Sequence, residues 1–129
     1  MCSTTAPVQL VLAPRTDSGA VARRFLRAAT CADHPGAMLD DAALLVSEVV
    51  ANAVRHGAPP IVLSVECLSA RELEVAVRDG SPTDPLPRVA SELDESGRGM
   101  ALVAALSESW GTRHDATGKQ VWFRVRKTA

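Results

Sequence analysis

The residues of this chain best suited to catalysis or ligand binding are a carboxylate and a carboxamide four positions apart, Glu48 and Asn52. Because an α-helix has 3.6 residues per turn, side chains at i and i+4 lie one turn apart on one face. An Asn oxygen is a neutral ligand suited to Mg²⁺, which keeps several waters and shares phosphate oxygens. A Glu one turn away can polarise a water or hydroxyl for attack on a phosphoryl group. The alternatives are a solvated helix face, or a pair that caps the following Pro59–Pro60 turn.

Two further polar sites lie at the ends of predicted elements. Asp79 ends the segment ELEVAVRD with the same parity as its apolar residues, so its side chain should point to the buried side. It could accept a hydrogen bond from a ligand amino group, or it could bond to a nearby turn. Gly97–Gly99 is placed to open a helix, where free N–H groups and the helix dipole favour an anion. The alternative for these glycines is a hinge or a plain helix cap.

The apolar patterns predict the elements that hold these residues. A period of 3.6 predicts helices over about 19–30 and 37–56 and another from 97, and a period of two predicts strands over 8–13, 61–68, 72–79, 109–114 and 119–127. Asp17 or Ser18 is placed to cap the first helix. Residues 80–96 read as a loop. This order predicts one α+β domain, a two-layer sandwich with helices on one face of a mainly antiparallel sheet.

Composition restricts the classes of function. The 129 residues fit one domain, with a core from about 8 to 127, and the formal net charge of −1 opposes a general nucleic-acid binder. We find no apolar run of the roughly 18–20 residues that would span a membrane. The N-terminal segment lacks a secretory pattern, and the three cysteines have no metal-ligand spacing. These features predict a cytoplasmic protein without a membrane or nucleic-acid partner.

In order and spacing, these motifs resemble the GHKL superfamily of ATP-binding domains, which includes histidine kinases. Glu48-Val-Val-Ala-Asn52 is similar to the helical box of that family, and Asp79-Gly80 to its adenine box. Gly97-Arg98-Gly99-Met100 is similar to the glycine box that closes the lid, and 117–125 (TGKQVWFRV) to the final strand. The resemblance runs from about residue 8 to 127. It implies a Bergerat-type fold with ATP and Mg²⁺ as cofactors.

The resemblance also implies roles for individual residues. Glu48 would be the general base, Asn52 would hold Mg²⁺, and Asp79 would bind the adenine amino group. The residues expected to contact the nucleotide are Asn52, His56, Asp79, Gly80, Gly97, Arg98, Gly99, Met100 and Lys119. His56 has an alternative role in stabilising the helix dipole at the C-terminus. Lys119 could reach a phosphate or could be solvated on its hairpin.

Within the superfamily, the compact size and short lid most resemble bacterial anti-sigma-factor serine kinases. This implies a serine/threonine kinase that phosphorylates an anti-anti-sigma protein and binds that protein, a sigma factor, or both. Arg23 and Arg24 resemble the position where such kinases meet their protein partners, although a solvated helix face is the alternative. Related kinases tend to dimerise, so a homodimer is one of the open oligomeric states.

Two departures from the family pattern support an alternative function. Asp79-Gly80-Ser81-Pro82-Thr83 has no glycine at positions 81 and 83, and Gly118-Lys119 stands where the family often has Gly-Thr. The alternative is a non-catalytic module that binds nucleotide or sequesters a partner. A third interpretation is a detached histidine-kinase ATPase module. It is less favoured because no dimerising helical hairpin with a phosphoacceptor His precedes the first strand.

Overall fold

The computed structural model describes residues 7–30, 34–81 and 95–126, which form five strands and three helices. In chain order the elements are β1 (Val8–Leu12), α1 (Ser18–Ala29), α2 (Gly36–His56), β2 (Ile61–Ser69), β3 (Glu72–Asp79), α3 (Glu95–Leu106), β4 (Ser109–Asp115) and β5 (Gly118–Arg126). The predicted order is confirmed, and most predicted bounds agree within one or two residues. No described helix is both long and apolar enough to cross a membrane.

The five strands form one antiparallel sheet in the order β1-β2-β3-β5-β4. The register aligns the buried positions across the sheet, because Leu63 lies opposite Val77, and Val77 lies opposite Val121. Side chains alternate between the two faces of each strand, so this register brings the buried apolar residues of neighbouring strands together on one face. β3 is the central strand, and its last residue, Asp79, therefore lies in the middle of one sheet edge.

The helices cover this apolar face, with α2 packed against α1, α3, β3 and β5. The spacing of apolar residues along α2 gives a continuous stripe for this contact. The core between the two layers includes the fully buried side chains of Leu26, Leu45, Val46, Val50, Leu63, Val75 and Phe123. Each such side chain contributes about 1.5–3 kcal/mol on burial. The predicted α+β class is confirmed, and α2 is the central helix of the layer.

The opposite face of the sheet carries polar and charged side chains. Arg124 Nε donates to Glu74 Oε1 at 2.8 Å across the β3–β5 pair. The guanidinium of Arg113 lies 4.7 Å from the ring centroid of Trp122, within the range of a cation–π contact. These pairs make one face of the sheet polar, while the helices cover the other face, as expected for an antiparallel two-layer domain.

The start of α1 differs from the predicted capping. Asp17 occupies the N-cap position, but its side chain makes no capping hydrogen bond. Its carboxylate instead accepts from Arg15 Nε at 3.2 Å. The Ser18 hydroxyl donates to the Ala13 carbonyl at 2.6 Å and accepts the Arg15 backbone N–H at 3.1 Å. The capping prediction is therefore wrong, because both side chains fasten the preceding turn rather than the first turn of the helix.

Candidate functional site

Asp79 ends β3 as a buried carboxylate. It is 2% exposed and shares its strand face with buried Val75 and Val77, so the orientation predicted from strand parity is confirmed. Its Oδ1 accepts the backbone N–H of Ser81 at 2.7 Å, a local turn that orients the carboxylate. Burying a charged carboxylate is unfavourable unless it is both paired and hydrogen-bonded. A charged partner is therefore expected nearby.

Lys119 is that partner and lies directly opposite Asp79 in the register of β3 and β5. Its Nζ is 3.3 Å from Asp79 Oδ2 and 3.5 Å from Oδ1. Lys119 is only 4% exposed, because its parity is that of the buried residues Val121 and Phe123. The alternative of a lysine solvated on its hairpin is therefore wrong. Contact between Lys119 and a phosphate stays a prediction.

Glycine backbones allow neighbouring segments to approach Asp79 closely. At Gly57, just after α2, an added Cβ would lie 2.6 Å from Asp79 Cγ. At Gly118 φ is +145°, a conformation that L side chains rarely adopt, and an added Cβ would lie 2.1 Å from the Asp79 carbonyl oxygen. The Gly80 N–H donates to the Ala58 carbonyl at 2.7 Å, which ties the end of β3 to the segment after α2. The sequence indicated Gly57 only as a helix stop, since the approach to Asp79 is a tertiary contact.

Arg78 fastens the β4–β5 turn beside this site. Its guanidinium hydrogen-bonds to the Asp115 carboxylate and to the Thr117 hydroxyl. The backbone N–H of Thr117 also donates to Asp115, at 2.8 Å. These bonds, led by the one from Arg78, hold the pKa of Asp115 well below its usual range. The turn thereby positions Gly118 against Asp79.

Asn52 presents an unsatisfied acceptor on α2. The residue is 8% exposed, and its Oδ1 is buried without a hydrogen-bond partner among the described residues. Leaving such an oxygen unsatisfied costs about 1–3 kcal/mol, so native structures rarely retain one without a reason. A bound cation or donor would supply the missing interaction. In the described part of the chain no group of three or more His, Cys, Asp or Glu residues forms an alternative metal site.

Glu48, one turn before Asn52, is half-buried and lines a groove of about 470 Å³ between α1 and α2. The groove is lined by Arg15, Thr16, Gly19, Ala20, Arg23, Ser47, Glu48, Ala51, Val54 and Arg55. Three of these are arginines, and one of them, Arg15, is paired with Asp17. Arg24 is exposed on α1 and is not one of the described lining residues. The structure therefore places Arg23 on the same groove as Glu48, whereas Arg24 is not among its lining residues.

The remaining predicted residues are only partly described. His56 is the exposed last residue of α2, a position compatible with either of its predicted roles. α3 begins at Glu95, two residues before the predicted start, so Gly97 lies in its first turn instead of at its first position. The side chains of Gly97–Met100 lie outside the described residues, as do positions 82–94 of the predicted 80–96 loop, whereas positions 95 and 96 belong to α3 and not to a loop.

Comparison with known proteins identifies the family. The model of the histidine kinase-like ATPase domain matches residues 12–125 of the chain. The chain belongs to this family. The histidine kinase domain of a blue-light activated histidine kinase from Erythrobacter litoralis EL346 has a TM-score of 0.54 and 24% identity, covering 84% of this chain and 60% of that one. This likeness concerns the fold alone. No curated protein matches the chain.

In this histidine kinase-like ATPase domain, the C-terminal part of α2 links Asn52 to Asp79. Asn52 and Gly57 are five residues apart, a rise of about 7.5 Å along the helix axis, and Gly57 touches Asp79. The unsatisfied oxygen of Asn52 and the carboxylate of Asp79 therefore belong to one end of the central helix. This end of the helix therefore combines a buried, unsatisfied oxygen of the type that Mg²⁺ accepts as a ligand with a buried carboxylate.

Proposed function

We propose that this domain binds ATP with Mg²⁺ and transfers the γ-phosphoryl group to a serine or threonine hydroxyl of a protein partner of the anti-anti-sigma type. The proposal rests above all on the different surroundings of two neighbouring side chains of α2. Asn52 offers a buried, unsatisfied oxygen, whereas Glu48 lies half-buried on the wall of an open groove. The first environment suits a cation, and the second suits a base that must meet an external substrate.

The donor set fits a magnesium nucleotide. Asn52 Oδ1 would supply the protein oxygen to Mg²⁺, with phosphate oxygens and waters as the other ligands. When bound, the cation neutralises charge on the phosphates. Asp79 Oδ2 would accept the adenine amino group, because Ser81 already donates to Oδ1. His56, Gly80, Gly97, Arg98, Gly99 and Met100 remain proposed nucleotide contacts.

Glu48 would act on the second substrate. A serine or threonine hydroxyl in the groove would give its proton to the Glu48 carboxylate as its oxygen attacks the γ-phosphorus. The bond from this phosphorus to the bridging oxygen of the leaving ADP would break. Arg15, Arg23 and Arg55 give the groove a positive potential, which would favour a partner with an acidic surface around its hydroxyl. A homodimer with one such groove per subunit is compatible with this scheme.

Glu48→Gln tests the catalytic part of the proposal. Calorimetric titration with ATP and Mg²⁺ should give the same affinity as the wild type within about twofold, since the variant keeps the shape of the side chain. Transfer of labelled phosphate to a candidate anti-anti-sigma protein should fall by about 10²–10⁴-fold, because the general base is lost. Absence of ATP affinity in the wild type would refute nucleotide binding. Unchanged transfer by Glu48→Gln would refute the role of Glu48 as base.

Arg23 and Arg24 offer a matched pair for the partner surface. Arg23→Ser should weaken capture of the partner in a pull-down or titration, because Arg23 lines the groove. Arg24→Ser removes the same charge from the adjacent position and should bind the partner nearly as the wild type does. Equal loss in both variants would mean that net charge, and not the groove, attracts the partner.

The acid stability of the transferred phosphate distinguishes the two kinds of kinase. Phosphate on serine is stable in acid, whereas phosphohistidine is labile in acid.

A second candidate function is a non-catalytic module that sequesters its partner. The observation that favours it is the ion pair between Asp79 and Lys119, since the carboxylate proposed to bind adenine is already bonded. Stable capture of the partner without phosphate transfer over a long incubation, by protein that binds ATP, would support this function over the kinase.

A further inference from the structure

Lys119 carries a buried ammonium group whose described partner is the Asp79 carboxylate. Its side chain is 5% exposed and that of Asp79 is 2% exposed, so both charges have lost most of their hydration. Desolvation of a buried ion pair often cancels its Coulombic attraction, and an apolar pair is often as stable. Two apolar side chains at these positions could stabilise the fold as well as the two charged ones do. Stability therefore does not explain the Asp79–Lys119 pair, and its hydrogen-bonding groups point to a role in binding.

The hydrogen-bonding capacity of the pair is only partly used. Lys119 has three N–H donors, and within the described residues the Asp79 carboxylate is the partner that its ammonium contacts. The Nζ distances of 3.3 Å and 3.5 Å to the two oxygens are long for charge-assisted hydrogen bonds. Asp79 Oδ1 accepts the Ser81 N–H at 2.7 Å in addition to the Lys119 contact, whereas the Lys119 ammonium is the one described partner of Oδ2. A donor and an acceptor thus lie side by side with capacity to spare.

The position of this pair is fixed by the backbone. Lys119 and Asp79 are cross-strand neighbours, and the adjacent Gly118 backbone contacts the Asp79 carbonyl. Cross-strand neighbours have Cβ atoms about 4.5–5.5 Å apart, so the ammonium and the carboxylate present their polar atoms together. The edge of adenine that carries its amino group is complementary to this arrangement. The amino group donates, and the neighbouring ring nitrogen N1 accepts.

We propose that Lys119 determines base specificity by donating a hydrogen bond to N1 of the adenine whose amino group is accepted by Asp79. This inference rests on the proposed nucleotide site. It gives Lys119 a role at the base instead of at the phosphates. The Asp79–Lys119 pair is then a two-point recognition element, kept in place before binding by its own ion pair.

The ligand provides a test that does not depend on a variant folding. 1-Deaza-ATP replaces N1 by a C–H group, and 7-deaza-ATP makes the same change at a ring position away from Lys119. In calorimetric titrations of the wild-type chain with Mg²⁺, 1-deaza-ATP should bind about 10- to 100-fold more weakly than ATP, the range for a hydrogen bond to a charged group. 7-Deaza-ATP should bind within about threefold of ATP. Equal affinity for ATP and 1-deaza-ATP would overturn the proposal.

Lys119→Met links the ligand effect to the residue. Methionine keeps an unbranched side chain of similar length but has no donor, and thermal unfolding monitored by circular dichroism would establish that the variant is folded. In the folded Lys119→Met variant, the affinities for ATP and 1-deaza-ATP should differ by no more than about twofold. A ratio as large as in the wild type would overturn the assignment to Lys119. If the wild type binds no ATP at all, the proposed nucleotide site itself fails, a result distinct from equal binding of the two ligands.

Discussion

Asn52→Ala should stabilise the nucleotide-free domain while it weakens Mg²⁺-dependent ATP binding. In the wild type, Oδ1 of Asn52 is buried with no described hydrogen-bond partner. Removing an unsatisfied oxygen of this kind recovers about 1–3 kcal/mol. Alanine also has a higher helix propensity than asparagine by about 0.5 kcal/mol, whereas the small cavity left behind costs about 1 kcal/mol. The net gain in the free energy of unfolding should therefore be about 0.5–2.5 kcal/mol, or roughly 2–10 °C in Tm for a domain of this size.

Urea unfolding and ATP titration, with Mg²⁺ and with EDTA, measure the two opposite effects. Ser47→Ala is a matched control on the same helix, because the Ser47 hydroxyl donates to the Leu44 carbonyl at 2.7 Å and is already satisfied. We expect that control to change stability by no more than about 0.5 kcal/mol, the scale of helix propensity. A loss of more than about 1 kcal/mol in Asn52→Ala would refute the unsatisfied-oxygen argument. Unchanged Mg²⁺-dependent affinity would remove Asn52 from the proposed site.

Two further predictions concern the backbone and the charges beside Asp79. Gly118→Ala should lower the free energy of unfolding by about 2–6 kcal/mol, from strain at positive φ and the clash with the Asp79 carbonyl. Gly36→Ala, where nothing lies within 4 Å of an added Cβ, should stay within about 1 kcal/mol of the wild type; similar urea midpoints for both variants would contradict the close approach. Arg78 lowers the pKa of Asp115, so ionised Asp115 stabilises the folded state. This stabilisation is fully present above the ordinary pKa of 3.8 and is lost progressively as the pH falls below it. The difference in unfolding free energy between wild type and Asp115→Asn should narrow from pH 6 to pH 2.5, and a constant difference across this range would rule out the ion pair as its source.

The strands and the long helix were predictable because local patterns determine them. The alternation in ELEVAVRD placed Asp79 on the buried face, and β3 has the predicted bounds of Glu72–Asp79. The apolar stripe and the glycine stop likewise predicted α2 to within one residue, at Gly36–His56. The bounds of α1 were also predicted to within one residue, but its capping was not, since it depends on contacts made beyond the helix. Asp17 had the residue type of a cap, yet its carboxylate binds Arg15.

The candidate site was predictable only as a set of residues. Type and spacing identified Glu48, Asn52 and Asp79, because period-two and 3.6-residue repeats determine which way each side chain points. They could not show that Asn52 has a buried, unsatisfied oxygen while Glu48 lines an arginine-rich groove, since these environments depend on the packing of α1 against α2. The roles that we propose for Glu48 and Asn52 depend on that difference.

By itself, the sequence determined the element order, the α+β class and the face on which Asp79 lies, because each follows from repeats within short segments. The tertiary structure decided what Asp79 meets there. The β3–β5 register puts Lys119 opposite it, and the backbones of Gly57 and Gly118 approach it from separate parts of the chain. Residues forty positions apart become an ion pair only when two strands align, and no local pattern encodes that alignment. The sequence therefore supplied a carboxylate at a strand end, and the fold made it one half of a donor–acceptor pair.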